Sequence, residues 1–86
     1  MTTLVERTIR TQRENLKKAH NSRFIANGNE YRITYSGGLA EFFAIYGRRV
    51  GERNFKYIDG FSAYKFYTKE QVVSYAKALV AESVKN

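Results

Sequence analysis

Phe24-Ile25-Ala26-Asn27-Gly28-Asn29-Glu30-Tyr31-Arg32-Ile33-Thr34-Tyr35 reads as a β-hairpin, and the rest of the fold is built outward from it. Asn-Gly is the dipeptide that accepts φ > 0 at both positions of a two-residue turn. After it, Tyr31, Ile33 and Tyr35 alternate with Arg32 and Thr34, as a half-buried strand requires. Downstream, Ser36-Gly37-Gly38 breaks the chain before a strand from Leu39 to Tyr46. Phe43 and Ile45 face opposite to Phe42, Ala44 and Tyr46, and two apolar faces predict a central position in the sheet. Gly47-Arg48-Arg49 is predicted to turn the chain into a strand from Val50 to Tyr57, with Gly51 as a bulge. Asp59-Gly60 marks a further turn, and Phe61 to Tyr67 a short edge strand.

The two ends read as helices. Thr68-Lys69-Glu70-Gln71 is a capping box, in which the threonine hydroxyl takes a helix N–H and Gln71 reaches back. Val72, Val73, Tyr75, Ala76, Leu79, Val80 and Val84 then spread over an apolar face that lies on the sheet, with Leu79 its buried anchor. Upstream, Thr2 or Thr3 caps a helix running to about His20, with Val5, Ile9, Leu16 and Ala19 in a narrow stripe. Arg10, Arg13 and Lys17 cluster beside that stripe. His20 falls at the helix C-terminus, where an imidazolium suits the negative end of the dipole. The prediction is an α+β two-layer sandwich, with an N-terminal helix, a three- to four-stranded antiparallel sheet and a C-terminal helix, in one domain spanning 1–86.

Composition narrows the function. With 86 residues there is room for one core, and 43% hydrophobic with 27% charged residues is ordinary globular usage. No apolar run reaches membrane-spanning length, and the first residues read as helix rather than secretory signal, so the expectation is a soluble, cytoplasmic protein. Cysteine is absent, and His20 and Asp59 are the single histidine and aspartate. Thiolate metal sites, a histidine-based triad and a zinc or iron centre therefore lack their parts. Glu30, Glu41, Glu52 and Asp59 read as solvated or ion-paired carboxylates rather than a glycosidase pair. The glycines match no phosphate-binding loop. The expectation is a protein that is not an enzyme, with no cofactor, no metal and no small-molecule substrate.

Charge points to binding. Fifteen cationic side chains stand against eight anionic ones. Two segments hold the whole excess. Residues 1–25 carry Arg7, Arg10, Arg13, Lys17, Lys18 and Arg23 against Glu6 and Glu14; residues 46–56 carry Arg48, Arg49, Arg53 and Lys56 against Glu52. Clustered cations bind phosphate by counterion release, and Arg48-Arg49 at a predicted hairpin tip could reach into a groove. Seven tyrosines and six phenylalanines interleave with these residues, as in Tyr31-Arg32-Ile33 and Phe55-Lys56-Tyr57, and exposed rings can stack on unpaired bases. The candidate partner-binding set is Arg10, Arg13, Lys17, Arg48, Arg49, Arg53 and Lys56.

The order helix, strands, helix resembles a double-stranded-RNA-binding domain, but the start of the last helix offers only Lys69 and Lys77 where that family has a basic cluster. From Tyr31 to Leu79 the pattern resembles small phage-encoded anti-CRISPR proteins. The shared features are Gly47-x-x-Val50-Gly51-x-Arg53-x-Phe55 after the central strand and Thr68-x-Glu70-Gln71 opening a helix. The chain departs from that pattern by the stretch 56–67 and by its basic charge. The resemblance implies a non-catalytic phage or mobile-element inhibitor that docks on a host nucleic-acid-handling complex. The reading from charge alone is an accessory protein that binds DNA or RNA directly through its phosphates.

Overall fold

Asn27 and Gly28 both take positive φ, 54° and 78°, and close strand β1 (Arg23–Ala26) onto β2 (Asn29–Ser36). The computed structural model describes residues 14–85, with side chains for 14–82. After β2 come β3 (Phe42–Arg49), β4 (Lys56–Ser62), a single 3₁₀ turn (Ala63–Lys65) and a long helix (Lys69–Lys85), here α2. Residues 14–17 are the described part of the first helix, α1. The four strands form one antiparallel sheet whose spatial order, β1-β2-β3-β4, follows the chain. The fold is the predicted α+β sandwich, with the helices covering one face of the sheet.

Alternation decides which side chains meet the helices. Tyr31 and Ile33 from β2 and Phe43 and Ile45 from β3 form the core with Val72, Ala76 and Val80 of α2. Leu16 and Ala19 add the contribution of the first helix, as their spacing predicted, while Val5 and Ile9 lie outside the described residues. Val72, Ala76 and Val80 recur every four residues, so one helix stripe meets the sheet. Leu79 sits beside that stripe, half-buried, and is not the anchor its sequence position suggested. The side chain of Val84 lies outside those described. The capping box forms in full. Gln71 N–H donates to Thr68 Oγ1 at 3.2 Å, and Gln71 Oε1 accepts from the N–H of Thr68 at 3.2 Å and of Tyr67 at 2.7 Å.

Four sequence expectations shift in register. Gly47-Arg48-Arg49 is not a turn; it ends β3, paired with Tyr31, Glu30 and Asn29. Gly47 is there for space. A Cβ on it would lie 2.9 Å from two ring carbons of Tyr31. The turn comes next, with Gly51 at φ 100°, so Val50 to Tyr57 is mostly loop and Gly51 is no bulge. β4 consequently starts at Lys56 and runs through Asp59-Gly60, where a turn was predicted. Here too glycine answers crowding, because the Tyr57 hydroxyl would stand 2.8 Å from a Cβ at Gly60. The bulge lies two residues earlier: Tyr46 pairs Tyr57 while Ile45 pairs Asp59, leaving Ile58 as the extra residue. The predicted edge strand from Phe61 to Tyr67 keeps only Phe61 and Ser62 in β4 before the 3₁₀ turn, which Ser62 caps through Oγ.

His20 is tied to the sheet, its Nδ1 accepting the Tyr35 N–H at 2.8 Å. Next to it, Asn21 N–H donates to the Ile33 carbonyl and Ile33 N–H to the Ser22 carbonyl, both at 2.8 Å. Residues 20–22 therefore satisfy the β2 edge beyond the end of the four-residue β1.

Candidate nucleic-acid interface

Everything on the sheet face away from the helices follows from the same alternation. Arg32, between the buried Tyr31 and Ile33, must point outward, and the register places Arg23 beside it on β1 and Tyr46 on β3. Tyr57 on β4 continues the row. One line across the sheet thus reads Arg23, Arg32, Tyr46, Tyr57, basic over β1 and β2 and aromatic over β3 and β4. Neighbouring strands are about 4.8 Å apart, so the row is roughly 14 Å long.

The flanking rows differ in kind. On one side Thr34, Ala44 and Gly60 make a shallow floor, and Ser36, Phe42 and Ser62 follow it. Phe42 and Tyr57 stand over this floor half to two-thirds exposed, at 50% and 62%, beside an open groove of about 520 Å³. Tyr46 and Tyr57 meet edge to face with centroids 5.9 Å apart. On the other side, Glu30 holds Arg48 through Nε at 3.1 Å and Nη2 at 2.9 Å, with Arg23 further off at 3.5 Å. Phe55, from the β3–β4 loop, lies over the guanidinia of Arg48 and Arg32, 4.3 Å and 5.0 Å from its centroid. Arg32 makes no hydrogen bond or ion pair among the described residues, and its buried Nε lacks an acceptor.

The predicted set divides among several places. Arg10 and Arg13 lie outside the described residues. Lys17 is exposed, with Nζ 6.0 Å from the Tyr35 ring centroid, whereas Arg48 pairs with Glu30, five residues away along β2. Those positions are about 17 Å apart along the strand, so Lys17 and Arg48 do not converge, whereas Arg23 of the first segment meets Arg48 at Glu30. Arg48 is not at a hairpin tip. It is three-quarters buried, forked onto Glu30, bonded to the Arg53 carbonyl at 3.1 Å and stacked on Phe55. Arg49, Arg53 and Lys56 are exposed and make no ion pair among the described residues. Arg49 and Lys56 line a second open groove of about 350 Å³ with Asn29, Tyr31 and Glu52.

Sequence reasoning missed Arg23, Arg32, Tyr46, Tyr57 and Phe42 as a set. The signal for Arg32 was present, since a charged residue between two core positions can only face outward. The signal for Tyr46 and Phe42 was read as burial, because β3 is apolar on both sides. Among the described residues no three His, Cys, Asp or Glu side chains gather to hold a metal ion, and no helix is long and apolar enough to cross a membrane. Compared with known proteins, the chain matches no family model, no curated protein and no solved structure.

Proposed function

We propose that this chain is a non-catalytic binding domain of the host-cell interior whose partner contains nucleic acid, reached through its basic surface. The observation that carries this reading is the run Arg49, Arg53, Lys56 around the β3–β4 loop, exposed and unpaired among the described residues. Three such cations within eight residues attract a polyanion and release its counterions on contact. The test is a titration of DNA and RNA, duplex and single-stranded, across a salt series. Affinity should fall by about 0.7–0.9 log units per phosphate contacted for each log unit of salt. Arg49→Glu with Arg53→Glu should make that slope shallower by about two contacts while leaving the melt unchanged. Absence of binding to every form at low salt would overturn the reading. Arg48 is a poor choice for charge reversal, since a carboxylate there would face Glu30 and disturb the sheet.

A second reading follows from the anti-CRISPR resemblance: a phage or mobile-element inhibitor docking on a host nucleoprotein complex. Its support is the exposure of Leu39, Tyr64 and Tyr67 outside the basic region, apolar area suited to a protein surface. Retention on the same host complex after nuclease treatment, lost on substituting Leu39 and Tyr64, would favour this reading over direct nucleic-acid binding.

A further inference from the structure

We infer that the open face of the sheet is a stacking platform for single-stranded nucleic acid, with bases on Phe42, Tyr46 and Tyr57 and phosphates on Arg23 and Arg32. This rests on the nucleic-acid reading above and specifies the surface and the form of ligand. Three observations converge on it. Phe42 and Tyr57 expose half or more of their surface on a sheet face that Thr34, Ala44 and Gly60 leave low between them. Thr34 and Ala44 keep the floor low beside these rings and leave room for a flat base, while Tyr57 lies along its other end with the hydroxyl over Gly60.

The second observation is the order of the row. Within this row arginines occupy β1 and β2 and tyrosines β3 and β4, while Arg48 of β3, in the next row, is held by Glu30 and Phe55. A single strand has that same division, phosphates along one side and unpaired bases along the other. A duplex turns its base faces inward and cannot use exposed rings. Third, Arg32 is held against Phe55 with no protein acceptor among the described residues. Its positive charge is available to an anion from outside, whereas that of Arg48 is already met by Glu30. Including Glu30, the face keeps an excess of positive charge from Arg23, Arg32 and Arg48. The row spans roughly 14 Å and the stretch from Phe42 to Tyr46 about as much, room for two or three stacked nucleotides.

The experiment is a fluorescence-anisotropy titration with labelled oligothymidine and oligouridine of roughly 15 nucleotides, alongside a mixed-sequence duplex of the same length. Wild type should bind the single strands more tightly than the duplex. Phe42→Ala and Tyr57→Ala should each weaken single-strand binding about fivefold or more and leave duplex binding nearly unchanged. Tyr57→Phe keeps the ring and should bind as wild type does. Arg32→Gln should reduce the salt slope by about one contact. Thermal melts of each variant establish that the sheet is intact; Tyr57→Phe guards against a structural artefact at that position. Single-strand binding indifferent to both ring deletions would overturn the platform, as would preference for duplex, and either result leaves the broader nucleic-acid reading standing. No binding to any nucleic acid overturns both. Concentration-dependent self-association lost in Tyr57→Ala would overturn the platform in favour of a second copy of the chain as occupant.

Discussion

Replacing Gly47 with alanine tests the register of the whole β2–β3–β4 region in one step. If this glycine were the turn its sequence context suggests, a methyl group would cost little beyond local strain. In the structure it is a buried strand residue with the Tyr31 ring 2.9 Å from where a Cβ would sit. That ring cannot retreat, because Tyr31 is 6% exposed and stacks on Phe24 with centroids 5.2 Å apart. Overpacking of this kind costs about 1–3 kcal/mol, and alanine regains about 0.5–1 kcal/mol over glycine in a strand. The net expectation is roughly 1–2 kcal/mol of destabilisation, a melting point lower by about 5–15 °C in a domain this small. Urea unfolding followed by circular dichroism measures it. In a Tyr31→Val background, where the ring is gone, Gly47→Ala should be neutral or stabilising, giving a coupling of opposite sign to the single-mutant loss. An unchanged melt for Gly47→Ala, or an equal penalty in both backgrounds, would refute the packing argument.

Phe43→Ala should cost about 3–5 kcal/mol, because the ring is fully buried at the sheet centre, and Leu79→Ala clearly less, because that side chain is half-buried; the reverse order in urea unfolding would contradict the placement of α2. Thr68→Ala should lower stability by about 0.5–2 kcal/mol, and a midpoint equal to wild type would mean the cap is not formed in solution. A double-mutant cycle with Glu30→Ala and Arg48→Ala should give a coupling of about 1–2 kcal/mol, above the 0.2–1 kcal/mol of exposed pairs, since both partners are largely buried and doubly hydrogen-bonded. Coupling near zero would class the pair as ordinary surface charge.

What could be read from the residues alone was local. The Asn27-Gly28 turn and the Thr68–Gln71 box are each specified by adjacent residues and a single backbone geometry, and both form as written. Gly47 and Gly60 were harder because a glycine serves two unrelated ends, positive φ and close approach. Which one applies depends on where a ring lands, that of Tyr31 from the neighbouring β2 for Gly47 and that of Tyr57, three residues back along β4, for Gly60. Only the spatial partner, Tyr31 or Tyr57, separates them. Arg48 illustrates the same limit for charge. Its neighbours in sequence are glycine and arginine, yet its surroundings are Glu30 and Phe55, eighteen and seven residues away. The open face was hidden for a different reason. An apolar strand implies burial on both sides only if a second layer exists, and both helices here lie on one side.

Because strand order follows chain order, every sheet pairing closes between consecutive strands, across intervals of two, five and six residues. The search for partners is therefore short. The hairpin at Asn27-Gly28 can zip first, each later strand adds to an edge already formed, and α2 docks on a finished surface. The chain also contains no proline, so no prolyl bond can hold part of the population in a slow-refolding form. Rapid dilution from denaturant should return the whole signal in a single phase, in about milliseconds to a second, with nothing left for the tens-of-seconds range. A domain that regains its sheet this quickly spends little time with Phe42, Tyr46 and Tyr57 displayed on unpaired strand edges, the arrangement in which such residues promote aggregation.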